Sequence, residues 1–154
     1  MKIPLLSKIN KKIGIDLGTG VTRIWVDGKG VIFKEPTCIA VDKDSKKVLA
    51  IGSEAVDMDG RVGDHIEIIY PVKNGEVYSD KAIKQYLKIL LNKYVGSTLM
   101  LNPIIMVSVP VISTQADRQI ITDIVYGLGA GEAYTIAQPL AASIGSGVPI
   151  AVAS

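Results

Sequence analysis

Ile13-Gly14-Ile15-Asp16-Leu17-Gly18-Thr19 reads as a short apolar strand that ends on a carboxylate and runs into a glycine turn and a hydroxyl. A strand aimed at a tight turn offers phosphate oxygens a row of backbone N–H groups, and Gly18 and Gly20 allow an anion to approach the backbone closely. Asp16, at the strand end, stands where it can hold a hydrated divalent cation beside those phosphates. No Gly-Lys-Ser/Thr follows, so this is not a Walker A loop. A plain hairpin would begin the same way, and the rest of the chain decides between the two readings.

Two further strands, 22–27 and 30–34, follow across the turn Asp27-Gly28-Lys29-Gly30, a strong hairpin signal. Strands at 38–41 and 48–51 flank a polar turn and form a second hairpin. A short helix at 53–58, a strand at 66–70 and a turn at 71–75 come next. From 81 to 94, Ile83, Tyr86, Leu87, Leu90, Leu91 and Tyr94 recur at helical spacing with lysines opposite, which predicts one amphipathic helix. Residues 104–109 are the continuous apolar run of a doubly covered strand. A helix begins near Gln115 and stops among Gly127, Gly129 and Gly131. A strand at 133–137 follows, and then a small-residue helix opened by Pro139. A three-strand antiparallel meander leading into parallel strands with crossover helices is the ribonuclease-H-like α/β plan, here carrying a small α+β insertion.

The 154 residues are 48% hydrophobic, enough for one domain with a real core. A net charge of +2 with interspersed signs gives no basic field for nucleic acid. The lone Cys38 excludes an internal disulfide, fits a reducing cytoplasm and reads as a small buried hydrophobe. The lone His65 has no companion for a metal and reads as a loop residue. No apolar run reaches the roughly 18 residues a bilayer span needs. In residues 1–12, Met1, Ile3, Leu5, Leu6 and Ile9 are interleaved with four lysines. This pattern is that of an amphipathic segment for an anionic membrane surface or of a basic tail.

The opening stretch resembles the first phosphate motif of the actin, heat-shock-70 and sugar-kinase superfamily. Tyr70-Pro71-Val72-Lys73-Asn74-Gly75-Glu76-Val77, Val107-Ser108-Val109-Pro110 and the segment from Gln138 to Pro149 resemble, in order, stretches of the MreB family of bacterial actins. The likeness runs from about Lys12 to Pro149. It implies an actin-like half-domain: a IA core at 13–37 and 72–154 and a IB insertion at about 38–71. The glycine-rich second phosphate motif and the second domain of such proteins are not in this sequence, so one wall of the nucleotide cleft is expected and ATP turnover by this chain alone is expected to be negligible.

The resemblance further implies ATP with Mg2+ as cofactors, with Gly18, Thr19, Gly20 and Val21 lining the phosphates and Asp16 facing magnesium through water. The family usually has Ala-Asn at Gly20-Val21 and glutamate at Ala137. Asp117 stands where the family uses a glutamate to position the attacking water. Thr114-Gln115-Ala116-Asp117 is equally a helix capping box, and Asp is one methylene shorter than Glu. Leu99-Met100-Leu101 falls where the family has a membrane-inserting loop. The implied partners are further copies in a filament, the inner membrane surface and cell-wall elongation proteins. The implied place is the cytoplasm, peripheral at that membrane, with a role in rod cell shape. Two other classes are a non-enzymatic half-actin that binds or regulates full-length filaments, and a ribonuclease-H-like nuclease. The nuclease needs more carboxylates at the sheet end than Ser108-Val109-Pro110 supplies.

Overall fold

The computed structural model describes residues 11–61 and 63–147. The amphipathic pattern of residues 1–12 and the end of the resemblance at Pro149 therefore fall largely outside the described residues.

Strand β1 (Lys12–Leu17) alternates Ile13, Ile15 and Leu17 into the core with Gly14 and Asp16 on the opposite face. It pairs antiparallel with β2 (Val21–Val26), which pairs antiparallel with β3 (Gly30–Pro36). On its other edge β1 runs parallel to a later strand, Ile104–Val109, which runs parallel to the last one, Glu132–Ala137. Between these lie β4 (Ile39–Asp42), β5 (Val48–Ile51), the short helix α1 (Ser53–Met58), β6 (Ile66–Ile69), and the two-residue strands β7 (Val72–Lys73) and β8 (Glu76–Val77). The late strands are thus β9 and β10, and the main sheet has the order β10-β9-β1-β2-β3. The meander-then-parallel plan read from the sequence is the one observed.

Helices α2 (Asp80–Leu90) and α3 (Gln115–Gly127) present their apolar stripes to the same core. Ile83, Tyr86, Leu87 and Leu90 of α2 are fully buried, as are Ile105, Val107 and Val109 of β9 in the same core. Each such aliphatic side chain contributes roughly 1.5–3 kcal/mol by leaving water. The Ser79 hydroxyl accepts from the N–H of Ala82 and starts α2.

The single helix expected over 81–94 is instead two pieces, with a third helical turn just beyond it. The α-helix ends at Leu90, a π-helical turn covers Leu91–Val95, and a 3₁₀ turn covers Gly96–Leu101. The wider turn buries both Leu91 and Val95 while Tyr94 tilts against Phe33 with ring centroids 4.6 Å apart. The turn expected at 71–75 is a miniature hairpin. Asn74 and Gly75 take φ values of 50° and 83°, the left-handed pair that a two-residue turn of this kind requires.

The insertion is a second sheet, ordered β5-β4-β6 and wholly antiparallel, with α1 packed on it. Ile39 and Val41 of β4 join the main core, while Cys38 and Ala40 pack with Ala50 and Ala55 in a small cluster of their own. Cys38 donates its thiol to the carbonyl of Gly52, and burial pushes its pKa up, so it is an inert structural thiol. His65 is exposed in the turn before β6.

Candidate functional site

Parallel pairing of β1 with β9 sets Ser108 beside Asp16 in register, and β10 ends one residue before Gln138. Three side chains therefore reach one carboxylate at the C-terminal end of the parallel strands, where α/β sheets place their ligands. Ser108 Oγ donates to Asp16 Oδ1 at 2.7 Å, and Gln138 Nε2 donates to the same oxygen at 3.1 Å and also contacts the Leu17 carbonyl at 3.3 Å. Arg23, opposite Asp16 in the β1–β2 register, bonds Asp16 Oδ2 at 2.9 Å. This ion pair is some two-fifths exposed on each side, so it contributes at most about 1 kcal/mol.

The turn that follows is held from inside. Gly18 N–H donates to the Val21 carbonyl at 3.2 Å, Thr37 Oγ1 donates to the Gly18 carbonyl at 2.8 Å, and Thr37 N–H donates to the Gly20 carbonyl at 3.0 Å. A Cβ on Gly18 would lie 2.7 Å from the Val21 carbonyl oxygen, so only glycine fits there. One on Gly20 would meet nothing and would point into open space. Thr19 Oγ1 accepts from the N–H of Gly75, and the Gly75 carbonyl accepts from Ser113 Oγ. This chain of bonds ties the glycine turn to the loop before α3.

Asp117 sits in the first turn of α3. Its Oδ2 accepts from both the N–H (2.9 Å) and the hydroxyl (2.7 Å) of Thr114, whose Oγ1 accepts from Asp117 N–H at 3.1 Å, a complete capping box. Oδ1 takes no protein hydrogen bond among the described residues. A cleft of about 520 Å³ opens over the Asp16 carboxylate and the glycine turn, lined by Asp16, Gly18, Val21, Arg23, Ser108 and Gln138 among others, and Asp117 is not part of its lining.

The apolar triplet after the long helix is corrected in part. Leu99 is not on the surface: it is only 8% exposed, because the 3₁₀ turn rotates it into the main core. Met100 (83%) and Leu101 (56%) are the exposed pair.

Arg23, Ser108, Gln138 and Thr37 were not singled out by sequence reasoning as site residues. Ser108 and Gln138 carried a signal, as polar residues at the ends of two apolar strands destined for the same sheet edge. Arg23 and Thr37 become legible only with the β1–β2–β3 register known.

The donor set fits a nucleotide's phosphates and their magnesium. The N–H groups of Thr19 and Gly20 have no acceptor among the described residues, which leaves them for an anion. Asp16 has three donors on a group able to accept about four, so it can take one metal-bound water but not a bare cation beside Arg23. Among the described residues no group of three or more His, Cys, Asp or Glu side chains could hold a metal, so magnesium here would draw its oxygens from phosphate and water. Among the described residues the acid cluster that a nuclease needs is not assembled.

The family described as MreB/Mbl protein matches residues 10–154. The chain belongs to the MreB/Mbl family. It is 35% identical over 150 residues to the cell shape-determining protein MreB of Escherichia coli K12, covering 92% of this chain and 42% of that protein. It is 36% identical over 140 residues to the cell shape-determining protein Mbl of Bacillus subtilis, with 91% and 42% covered. The chain thus spans well under half the length of these MreB/Mbl relatives, which fits one half-domain of such a protein. Among solved structures it is similar to MreB5 of Spiroplasma citri bound to ADP, with TM-score 0.81 and 25% identity over 92% of this chain and 42% of that one. The MamK double helical filament shares the fold at TM-score 0.68 and 20% identity, covering 89% and 43%. The mixed sheet and its helices are the actin-type half-fold of the MreB/Mbl proteins. Among the described residues no helix is long and apolar enough to cross a membrane.

Proposed function

We propose that this chain is the first, phosphate-facing half of an MreB-type cytoskeletal ATPase, a filament subunit acting at the inner membrane surface in rod cell-shape determination. One observation carries the reading: the turn 18–21, with the Thr19 and Gly20 amides unclaimed, lies beside an Asp16 carboxylate held in place by Ser108 and Gln138 at one sheet end. In this reading 13–37 and 72–154 form subdomain IA, and about 38–71 form IB. Bound ATP with its magnesium would supply the phosphoanhydride to be cleaved and the charge to stabilise. Gly18, Thr19, Gly20 and Val21 would orient the phosphates by backbone contacts, and Asp16 would hold a magnesium-bound water. Asp117 would orient a water through Oδ1 while Oδ2 caps α3. Met100 and Leu101 would dip into lipid. Copies of the subunit would supply the filament contacts, with cell-wall elongation proteins as further partners.

A second reading, a half-actin that binds or regulates full-length filaments without turning over ATP, is favoured by one feature. The sheet face away from α2 and α3 leaves Trp25, Val31, Met106 and Tyr134 exposed, an apolar surface suited to a protein partner. The mass of the native product and its ATPase separate the two. A product about twice 16.4 kDa whose ATP turnover falls on Asp16→Ala supports the first reading. A 16.4 kDa product that pellets only with full-length filaments supports the second.

A further inference from the structure

Resting on the phosphate reading of this turn, we infer that Thr37, outside the glycine motif, is the positioning residue that aims its amides outward. Thr37 closes two bonds onto the turn: its hydroxyl donates to the Gly18 carbonyl at 2.8 Å and its N–H to the Gly20 carbonyl at 3.0 Å. In a trans peptide the carbonyl and the next N–H point in opposite directions. Drawing the Gly18 and Gly20 carbonyls inward therefore turns the Thr19 and Val21 N–H groups the other way, and the Gly20 N–H is bracketed between them. No peptide bond in the described chain is cis, so the relation holds through the turn.

The direction of the bonds is fixed by counting protons. Thr37 Oγ1 and Thr22 Oγ1 are 2.8 Å apart, and both residues are fully buried. The Thr37 hydroxyl has one proton, which goes to Gly18, so the Thr22 hydroxyl donates to Thr37. Both bonds to the turn therefore come from Thr37, and Thr22 makes none. Thr37 also stands where the chain leaves β3 for the second sheet, so the same residue links the turn to that sheet.

Backbone 15N relaxation on the 154-residue chain tests this. Thr37→Val should lower the order parameters of Thr19 and Gly20 from about 0.85 toward about 0.6. Thr37→Ser, which keeps the hydroxyl, should restore them. Thr22→Val, which removes a buried hydroxyl of the same kind but no bond to the turn, should lower the melting temperature without moving those order parameters. Should Thr37→Val not fold, Thr37→Ala is read the same way. Unchanged order parameters in the Thr37 variants, or equal loosening by Thr22→Val, would overturn the assignment. A tripolyphosphate titration by amide shifts keeps the two ideas apart. Shifts at Thr19, Gly20 and Val21 that weaken about tenfold in Thr37→Val support both. Wild-type amides that ignore tripolyphosphate, with a loop that loosens in Thr37→Val, leave the positioning role standing and sink the phosphate reading.

Discussion

Leu99 and Met100 are adjacent in sequence, yet replacing each with alanine should damage different properties. Leu99 is packed in the main core at 8% exposure. Leu99→Ala removes buried methylenes and leaves a cavity, at about 2–5 kcal/mol. For a domain of this size that lowers the melting temperature by roughly 5–15 °C. Met100 is 83% exposed, so Met100→Ala should stay within about 0.5 kcal/mol of wild type. If Met100 dips into lipid, however, it gains there what it lacks in water. Losing the equivalent of two to three methylene groups at about 0.8 kcal/mol each weakens vesicle binding by roughly 15–60-fold. Urea denaturation measures the first effect, and sedimentation with vesicles containing anionic lipid measures the second. The reasoning fails if Leu99→Ala melts like wild type. It fails equally if Met100→Ala pellets with vesicles as wild type does.

Asp117→Ala removes the reciprocal half of the α3 capping box and should cost about 1 kcal/mol by thermal melting, whatever its effect on ATP turnover. The buried Tyr86 hydroxyl lies near the Thr22 and Thr37 hydroxyls but makes no hydrogen bond of good geometry among the described residues, and burial drives its pKa far up. Tyr86→Phe should therefore be neutral or stabilise by up to about 1 kcal/mol in urea, and a loss of more than about 1 kcal/mol would show that the hydroxyl is satisfied. Asp42 accepts from the Ser45 N–H and hydroxyl, which hold its carboxyl below the ordinary value of 3.8. Its contribution is present above that value and is lost as the pH falls through the lower folded value. The melting-temperature advantage of wild type over Asp42→Asn should therefore shrink between neutral pH and strong acid.

The sheet was legible because hydrophobic periodicity and turn chemistry agreed along most of the chain. The alternation in 13–17, the Asp27-Gly28-Lys29-Gly30 turn and the unbroken run 104–109 each specify one local answer. The segment 91–101 was not legible. As far as Tyr94 its apolar spacing continues the α2 pattern, and only the fit of Tyr94 against Phe33, far off in sequence, sits with the wider turn that breaks it. Leu99 was misplaced for the same reason, since three adjacent apolar residues do not say which one a 3₁₀ turn will bury. At the candidate site, Asp16 and the glycine turn could be read directly because their chemistry is local. Ser108 and Gln138 lie 92 and 122 residues from Asp16, and only the parallel register of β1, β9 and β10 brings them to it.

The most direct test of the account is sedimentation of the native gene product with ATP–Mg2+, with ADP–Mg2+ and without nucleotide, for wild type and Asp16→Ala. The account predicts pelletable filaments that depend on ATP and are lost in the variant. Assembly indifferent both to nucleotide and to Asp16 would contradict it.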